Sequence, residues 1–371
     1  MLKININQNQ FSDLLNLIHK VFYPLKNFVD KKKFINILKK NKFGSFFFPF
    51  PIYFGVDKQT YKKIKNEKKL ILKYNNKSLL KLKKLNFFDI DKNYFGKKIY
   101  GKNYKKHPYF KKFFKENYKF LSFKFDKLNK EKIRDKRFIS PKHFKKRFRI
   151  NNKKYLAGFH TRNVPHKAHE WIHMFMMKKY KSLLIQPLIG QYKVSEYKDS
   201  VIIKTNKILI KSYKTKKVYL ASFFSYPRYG GPLEAALHAI VRKNYGCTHF
   251  WVGRDHAGYR KFFNTYSSQK YCVKNEKRIG IKIISEKEPY FCHGCKKVVN
   301  SRCVNNKCNL KKKEKISGTK IRKLIYKRKK IPEHLLYNKI IKVLSRKSLL
   351  TNNSVEKYFN LSTRFNYDKQ I

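Results

Sequence analysis

Between residues 155 and 254 the chain alternates between short apolar runs and amphipathic stretches. YLAGFH (155–160), SLLIQPLIG (182–190), VYLASFFSY (218–226) and THFWVGR (248–254) are of strand length and almost uniformly apolar. Such runs mark strands buried on both faces. Between them, HEWIHMFMMKKY (169–180) and GGPLEAALHAIVRKNYG (230–246) carry apolar residues at helical spacing. In the second, Leu233, Ala236, Leu237, Ile240 and Val241 form one stripe, Pro232 suits the first turn, and Gly246 stands at the C-terminal cap position. Strands alternating with helices predict an α/β fold, a parallel sheet with helices on both faces. Ligands of such sheets bind beyond the carboxyl ends of the strands. The two most polar loops, 160–169 and 254–260, each follow a strand.

The first 150 residues have a different texture. SFFFPFPIYFGV (45–56) reads as strand, turn, strand, and 94–110 has the glycine spacing of short strands and turns. A β-rich domain over 1–150 is expected, ending in a helical or irregular connector at 124–154. The α/β domain then spans 151–320. A small helical C-terminal segment, 321–371, follows, with Ser317 expected to cap its first helix.

Composition narrows the class. The 371 residues are 42% hydrophobic and 16% aromatic, too apolar for a disordered polyelectrolyte. No apolar run reaches the roughly 18–20 residues of a membrane span, and MLKININQNQ lacks a secretory apolar block. A cytoplasmic multi-domain protein is expected, with no membrane partner. Lys+Arg is 91 and Asp+Glu is 22, a formal charge of +69. Clustered cations would point to nucleic acid. Here lysine recurs from Lys31 to Lys313 without one basic tail, alongside abundant Asn, Ile, Phe and Tyr. That pattern fits codon bias and solvated surface lysines better than a dedicated nucleic-acid face.

Two loops carry candidate chemistry. His160-Thr161-Arg162-Asn163-Val164-Pro165-His166-Lys167-Ala168-His169 places two histidines three residues apart at a helix start, on one face. A helix N-terminus adds free N–H groups and partial positive charge, and Arg162 can grip a tetrahedral anion. This suits a polyphosphate beside a second oxyanion; a capped surface helix is the plainer reading. Gly253-Arg254-Asp255-His256-Ala257-Gly258 follows a strand, and its glycines allow close backbone approach to a ligand. The plainer reading there is a turn with an internal Arg–Asp pair.

Together these motifs resemble the ATP sulfurylase (sulfate adenylyltransferase) family. Its pattern is Q-T-R-N with H-x-x-H, then R-Y-A-G-P-x-E-A, then G-R-D-H-A-G, then S-G-T-x-I-R. Here HTRNVPHKAH, RYGGPLEA (228–235), GRDHAG and SGTKIR (317–322) occur in that order. VFYPLKNFV (21–29), FPFPIYFGV (48–56) and IYGKNYKKHP (99–108) extend the match to the N-terminal half. The resemblance implies a PUA-like first domain, a Rossmann-like nucleotidyltransferase domain, and the reaction of ATP with sulfate to adenosine 5′-phosphosulfate and diphosphate. It assigns Thr161, Arg162, Asn163, His166, His169 and Arg254 to catalysis. It assigns His160, Arg162, Asn163, Gly253, Arg254, Asp255, His256 and Ala257 to substrate binding. Arg162 would hold sulfate, His166 and His169 the ATP phosphates, and Mg²⁺ would accompany ATP. A homo-oligomer is implied. No kinase P-loop is present, so a fused adenylylsulfate kinase is not expected.

The chain departs from the pattern at His160, where the family has Gln, and at Gly230, where it has Ala. An imidazole can also donate a hydrogen bond. The first departure keeps a second reading open, an adenylyltransferase for another oxyanion; the second is expected to matter little. A nucleic-acid binder on a retired enzyme scaffold is a third reading. Of six cysteines, Cys292, Cys295, Cys303 and Cys308 form C-x2-C-x7-C-x4-C, a spacing that suits tetrahedral Zn²⁺; disulfides or free thiols are the alternatives. The resemblance places a zinc ribbon, found in a prokaryotic subset of the family, just before S-G-T. That subset ends its ligand set with His; here Cys308 is the fourth candidate, and His293, between the first two cysteines, is disfavoured. Cys247 and Cys272 are expected to be buried and unpaired.

Overall fold

The computed structural model describes residues 1–125, 133–151, 155–190, 196–300 and 313–350. The chain forms two compact units, Met1–Gly158 with Phe224–Ser285, and Phe159–Phe223 with Glu286–Ile371. Among the described residues no helix is long and apolar enough to cross a membrane.

The first unit contains a five-stranded sheet in the order Leu2–Asn5, Lys69–Tyr74, Lys77–Phe88, Lys119–Phe125, Gly55–Val56. The first pair is parallel and the rest antiparallel. In Lys77–Phe88, Leu80 and Leu82 turn inward while Lys81 stays exposed, the period-2 pattern of a half-buried strand. Here, as along the helices Lys31–Lys40 and Lys58–Ile64, lysines stand around apolar faces. Phe34, Phe95, Phe113 and Phe120 form an aromatic core, with Phe95 and Phe113 stacked 4.2 Å apart.

The expectation of strands over 94–110 is wrong. Helices Lys92–Tyr100 and Pro108–Glu116 occupy that region. Asp91 accepts from the Tyr94 N–H and caps the first; His107 caps the second, with Pro108 at its first position. Gly96 marks close packing instead of a turn, since a Cβ there would lie 2.3 Å from the Tyr104 ring.

The same unit holds part of the predicted parallel sheet. His249–Trp251 pairs in parallel with Ala157–Gly158 on one side and Lys282–Ile284 on the other. Gly158 is required by packing: a Cβ would meet Arg242 at 2.8 Å and Cys247 at 3.1 Å. Helix Gly231–Asn244 buries all five stripe residues, and Gly246 takes φ +95 just beyond its end. Cys247 and Cys272 are buried and form no disulfide. Gly230 is more constrained than expected. An alanine Cβ there would lie 2.7 Å from the Phe50 ring, so alanine would fit only if that ring shifted.

In the second unit Leu183–Ile189 is buried along its whole length and pairs in parallel with Val218–Leu220. Helices Lys167–Tyr180 and Asp199–Ser212 cover it. Tyr290–Cys292 is flanked by Lys297–Val299 and Lys313–Glu314 in an antiparallel sheet. Ile202, Leu209, Ile321, Leu335 and Leu336 belong to one buried cluster. Ser317 precedes helix Gly318–Tyr326 as expected, but its side chain makes no capping bond.

Candidate active site

Strand Ala157–Thr161, whose last three residues fall in the second unit, delivers its carboxyl end to the loop that opens helix Lys167–Tyr180. The Asn163 N–H donates to Thr161 Oγ1 at 3.1 Å and folds the loop back on the strand. His166 is 7% exposed and is the helix N-cap; its Nδ1 accepts from the His169 N–H at 3.3 Å. Because Nδ1 accepts, the neutral ring carries its proton on Nε2, a donor at a positive helix end. His166 and His169 stack with centroids 3.6 Å apart. Phe159 packs edge-on against His169 and His173, and His173 Nδ1 shares a 2.7 Å hydrogen bond with the Tyr213 hydroxyl. His169 Nδ1 is buried and finds no hydrogen-bond partner among the described residues. His160 is half-buried, its ring 6.3 Å from that of Phe223, and Arg162 is half-buried at the bend.

Burial holds these imidazoles neutral. The pKa of His166 falls to about 3 through burial, with Arg322 adding to it. That of His173 also falls to about 3, through burial and then His166. His169 is pushed well below its ordinary value by burial and by His166 and His173. In the unfolded chain such groups titrate near 6.5, so mild acid protonates the unfolded state and not the folded one. Stability is therefore expected to fall as pH drops below about 6.5 towards 3, by about 1.4 kcal/mol per pH unit for each buried histidine. Urea midpoints at pH 7, 6 and 5 measure this. His173→Asn should flatten the slope; equal slopes in variant and wild type would contradict the assignment.

From sequence, SGTKIR offers a helix cap at Ser317 and no site residue. Arg322, 4% exposed, donates to Asn163 Oδ1 and lies 3.7 Å from the buried carboxylate of Glu196. It holds the Asn163 amide in one orientation. The signal was present, an arginine at helical spacing in a motif of family order, but nothing local revealed its partner.

The remaining motifs lie in the first unit. Glu234, 1% exposed, accepts from the N–H groups of Arg228 (2.8 Å) and Gly230 (2.9 Å), closing the RYGG turn. Gly231 has φ +54, and a Cβ there would meet Phe263 at 2.6 Å. Arg228 is itself buried, paired with Asp13 and lying over the Tyr226 ring. In the 253–258 loop Asp255 (φ +51) and Ala257 (φ +57) take left-handed conformations. Arg254 Nε donates to Asp255 Oδ2 at 3.1 Å, the internal pair of the plainer reading. The Gly231 N–H donates to the Ala257 carbonyl, and His256 Nε2 shares a 3.0 Å hydrogen bond with His238 Nδ1. His238, 3.6 Å from Glu234, thus links the two motifs. Asp13 and His238 were missed because each acts through a partner distant in sequence, whereas Glu234 acts within its own motif and was missed although the motif was recognised.

Cys292 ends its strand, 1% exposed, and Cys295 sits in the following turn. Two thiols on one hairpin turn fit half of a tetrahedral thiolate set. Cys303 and Cys308 lie outside the described residues.

A sequence profile of the ATP-sulfurylase family matches residues 135–347, and one of a PUA-like domain matches 1–126. The sulfate adenylyltransferase of Ignicoccus hospitalis is 30% identical, over 93% of this chain and 90% of its own length. That of Staphylothermus marinus is also 30% identical, over 92% and 89%, and that of Entamoeba histolytica 28%, over 92% and 85%. The chain belongs to the ATP-sulfurylase family. The fold agrees with that of a solved structure, the hexameric APS kinase from Thiobacillus denitrificans, at a TM-score of 0.67 and 13% identity. The match covers 92% of this chain and 62% of that one. Membership of this family makes the chain a nucleotidyltransferase.

Proposed function

We propose that the chain transfers the adenylyl group of ATP to sulfate. A sulfate oxygen attacks the α-phosphorus, the bond from that phosphorus to the bridging oxygen of the β-phosphate breaks, and diphosphate leaves with the electron pair. Sulfate is already a dianion at neutral pH, so no general base is needed. The barrier is the approach of like charges, which fixed donors and cations lower. The observation that carries the reading is His166. It is neutral, stacked on His169, and fixed by its own capping bond with Nε2–H as donor. In this account His166 and His169 hold the phosphates and steady the departing diphosphate. Arg162 grips sulfate with Thr161 and with Asn163, whose amide Arg322 orients. Gly253, Arg254, Asp255, His256 and Ala257 line the nucleotide, and Arg254 balances charge at the reacting centre. Mg²⁺ bound with ATP would neutralise phosphate charge.

His160 is proposed as a tolerated replacement for the family glutamine, donating to sulfate from its ring. His160→Gln should then change kcat/KM for sulfate by less than about tenfold, or 1.4 kcal/mol. A larger rise would show that imidazole impairs sulfate binding, and profiling with selenate and molybdate would identify the preferred oxyanion.

On the same reading the domains run 1–150, 151–320 and 321–371. The protein works in the cytoplasm as a homo-oligomer, and Cys292, Cys295, Cys303 and Cys308 hold a structural Zn²⁺. Nucleic acid is not a partner, because the lysines are spread over many elements.

A further inference from the structure

Beside the cysteine hairpin lies a second cluster of metal-binding groups that neither the reaction nor the thiolate set uses. His293, Glu314 and His334 each offer one ligand atom, and the three atoms lie within 4.8 Å of one another. Glu314 Oε2 is 2.8 Å from His293 Nε2 and 2.9 Å from His334 Nε2. Its other oxygen, Oε1, accepts from Lys320 at 2.6 Å. Lys320 therefore engages one carboxylate oxygen and leaves the second to the two imidazoles.

Strand geometry explains the convergence. Phe291 pairs directly with Glu314 across the antiparallel ladder, so both point to one face. Cys292 points to the opposite face, and His293, which opens the turn just after the strand, brings its ring back to the Glu314 carboxylate. His334 arrives from the 331–336 loop, anchored by Ile331, Leu335 and Leu336 in the buried cluster. Phe291 supports both rings: it stacks on His334 at 4.5 Å and meets His293 edge-on at 5.0 Å. The ring orientations are thus set by packing, as the surroundings of metal-binding imidazoles usually require.

We propose that His293, Glu314 and His334 form a binding site for a divalent transition ion of the Zn²⁺ class, separate from the cysteine set. Two imidazoles and one carboxylate are a recurrent three-ligand set for zinc, with the fourth position left to water. The ion would replace the short contacts to Glu314 Oε2, and its ligands would spread by a few tenths of an ångström. It would join the hairpin to the 331–336 loop. That loop also touches the candidate phosphate site, since the Leu335 carbonyl accepts the Lys167 N–H at 2.9 Å, at the start of the helix that His166 caps.

Cobalt distinguishes the two sets, because only thiolate ligation gives an intense sulfur-to-metal charge-transfer band. The full chain, stripped with chelator, would be titrated with Co²⁺ beside His334→Gln and Glu314→Gln. The expected result is one equivalent fewer bound in each variant, with any charge-transfer band unchanged. Zn²⁺ at a hundredfold excess over its Kd should raise the Tm of wild type by about 5 °C more than that of His334→Gln. Equal stoichiometry in wild type and variants would overturn the proposal. So would loss of the charge-transfer band in a folded variant, which would put His334 in the cysteine set. Should His334→Gln not fold, His293→Gln carries the same test, since that side chain is 49% exposed.

Discussion

Replacing His166 with alanine is expected to lower kcat about 10³-fold in either direction of the reaction. A donor aimed at charge that develops in the transition state is worth about 10²–10³ in rate when removed. His166 also places His169, through stacking at 3.6 Å and the capping bond, so the loss should lie at the upper end. The substitution also removes an N-cap, which costs about 1 kcal/mol of stability. His166→Asn separates the two effects: asparagine caps well, so stability should recover while turnover stays low. Measured kcat for both variants, with urea midpoints alongside, decides the matter. Activity within about tenfold of wild type in His166→Ala would remove this residue from the mechanism.

Asp13→Ala is expected to cost about 3–5 kcal/mol of stability, the usual result of breaking a buried ion pair on one side. Asp13 is 3% exposed and lies in helix Gln8–Ile18 near the N-terminus, yet it accepts from Arg228 and, at 2.8 Å, from the Tyr226 hydroxyl. Burial opposes the charge on Arg228, but Asp13, Tyr226 and Glu234 outweigh it and its pKa is raised. Without Asp13 a guanidinium that is 6% exposed loses its counter-charge. Arg228→Met combined with Asp13→Leu should recover much of the loss, because an apolar pair leaves no orphaned charge. Urea midpoints of the two single variants and the double variant close the cycle. A cost below about 1 kcal/mol for Asp13→Ala would mean that water reaches Arg228.

The α/β core was legible because its signals are local. Leu183–Ile189 and the stripe of Gly231–Asn244 each carry their assignment within one turn or one run. The helices across 92–116 were not, because Gly96 and Gly101 resemble turn glycines until the Tyr104 ring is seen against Gly96. The candidate site divides the same way. His166 and His169 could be read from their spacing at a helix start. The long-range partners of other motif residues could not: Arg322 reaches Asn163 across 159 residues, and Asp13 reaches Arg228 across 215. In the 253–258 loop the left-handed conformations of Asp255 and Ala257 could not be read from the sequence either. A short polar side chain tolerates that region; alanine does so only under the constraint of its neighbours.

The most direct test of the account is ATP formation from adenosine 5′-phosphosulfate and diphosphate with Mg²⁺, run beside His166→Ala. The account predicts turnover by the wild-type protein that requires both substrates and falls about 10³-fold in the variant. Folded wild-type protein that makes no ATP, or a variant that makes as much as wild type, would contradict it.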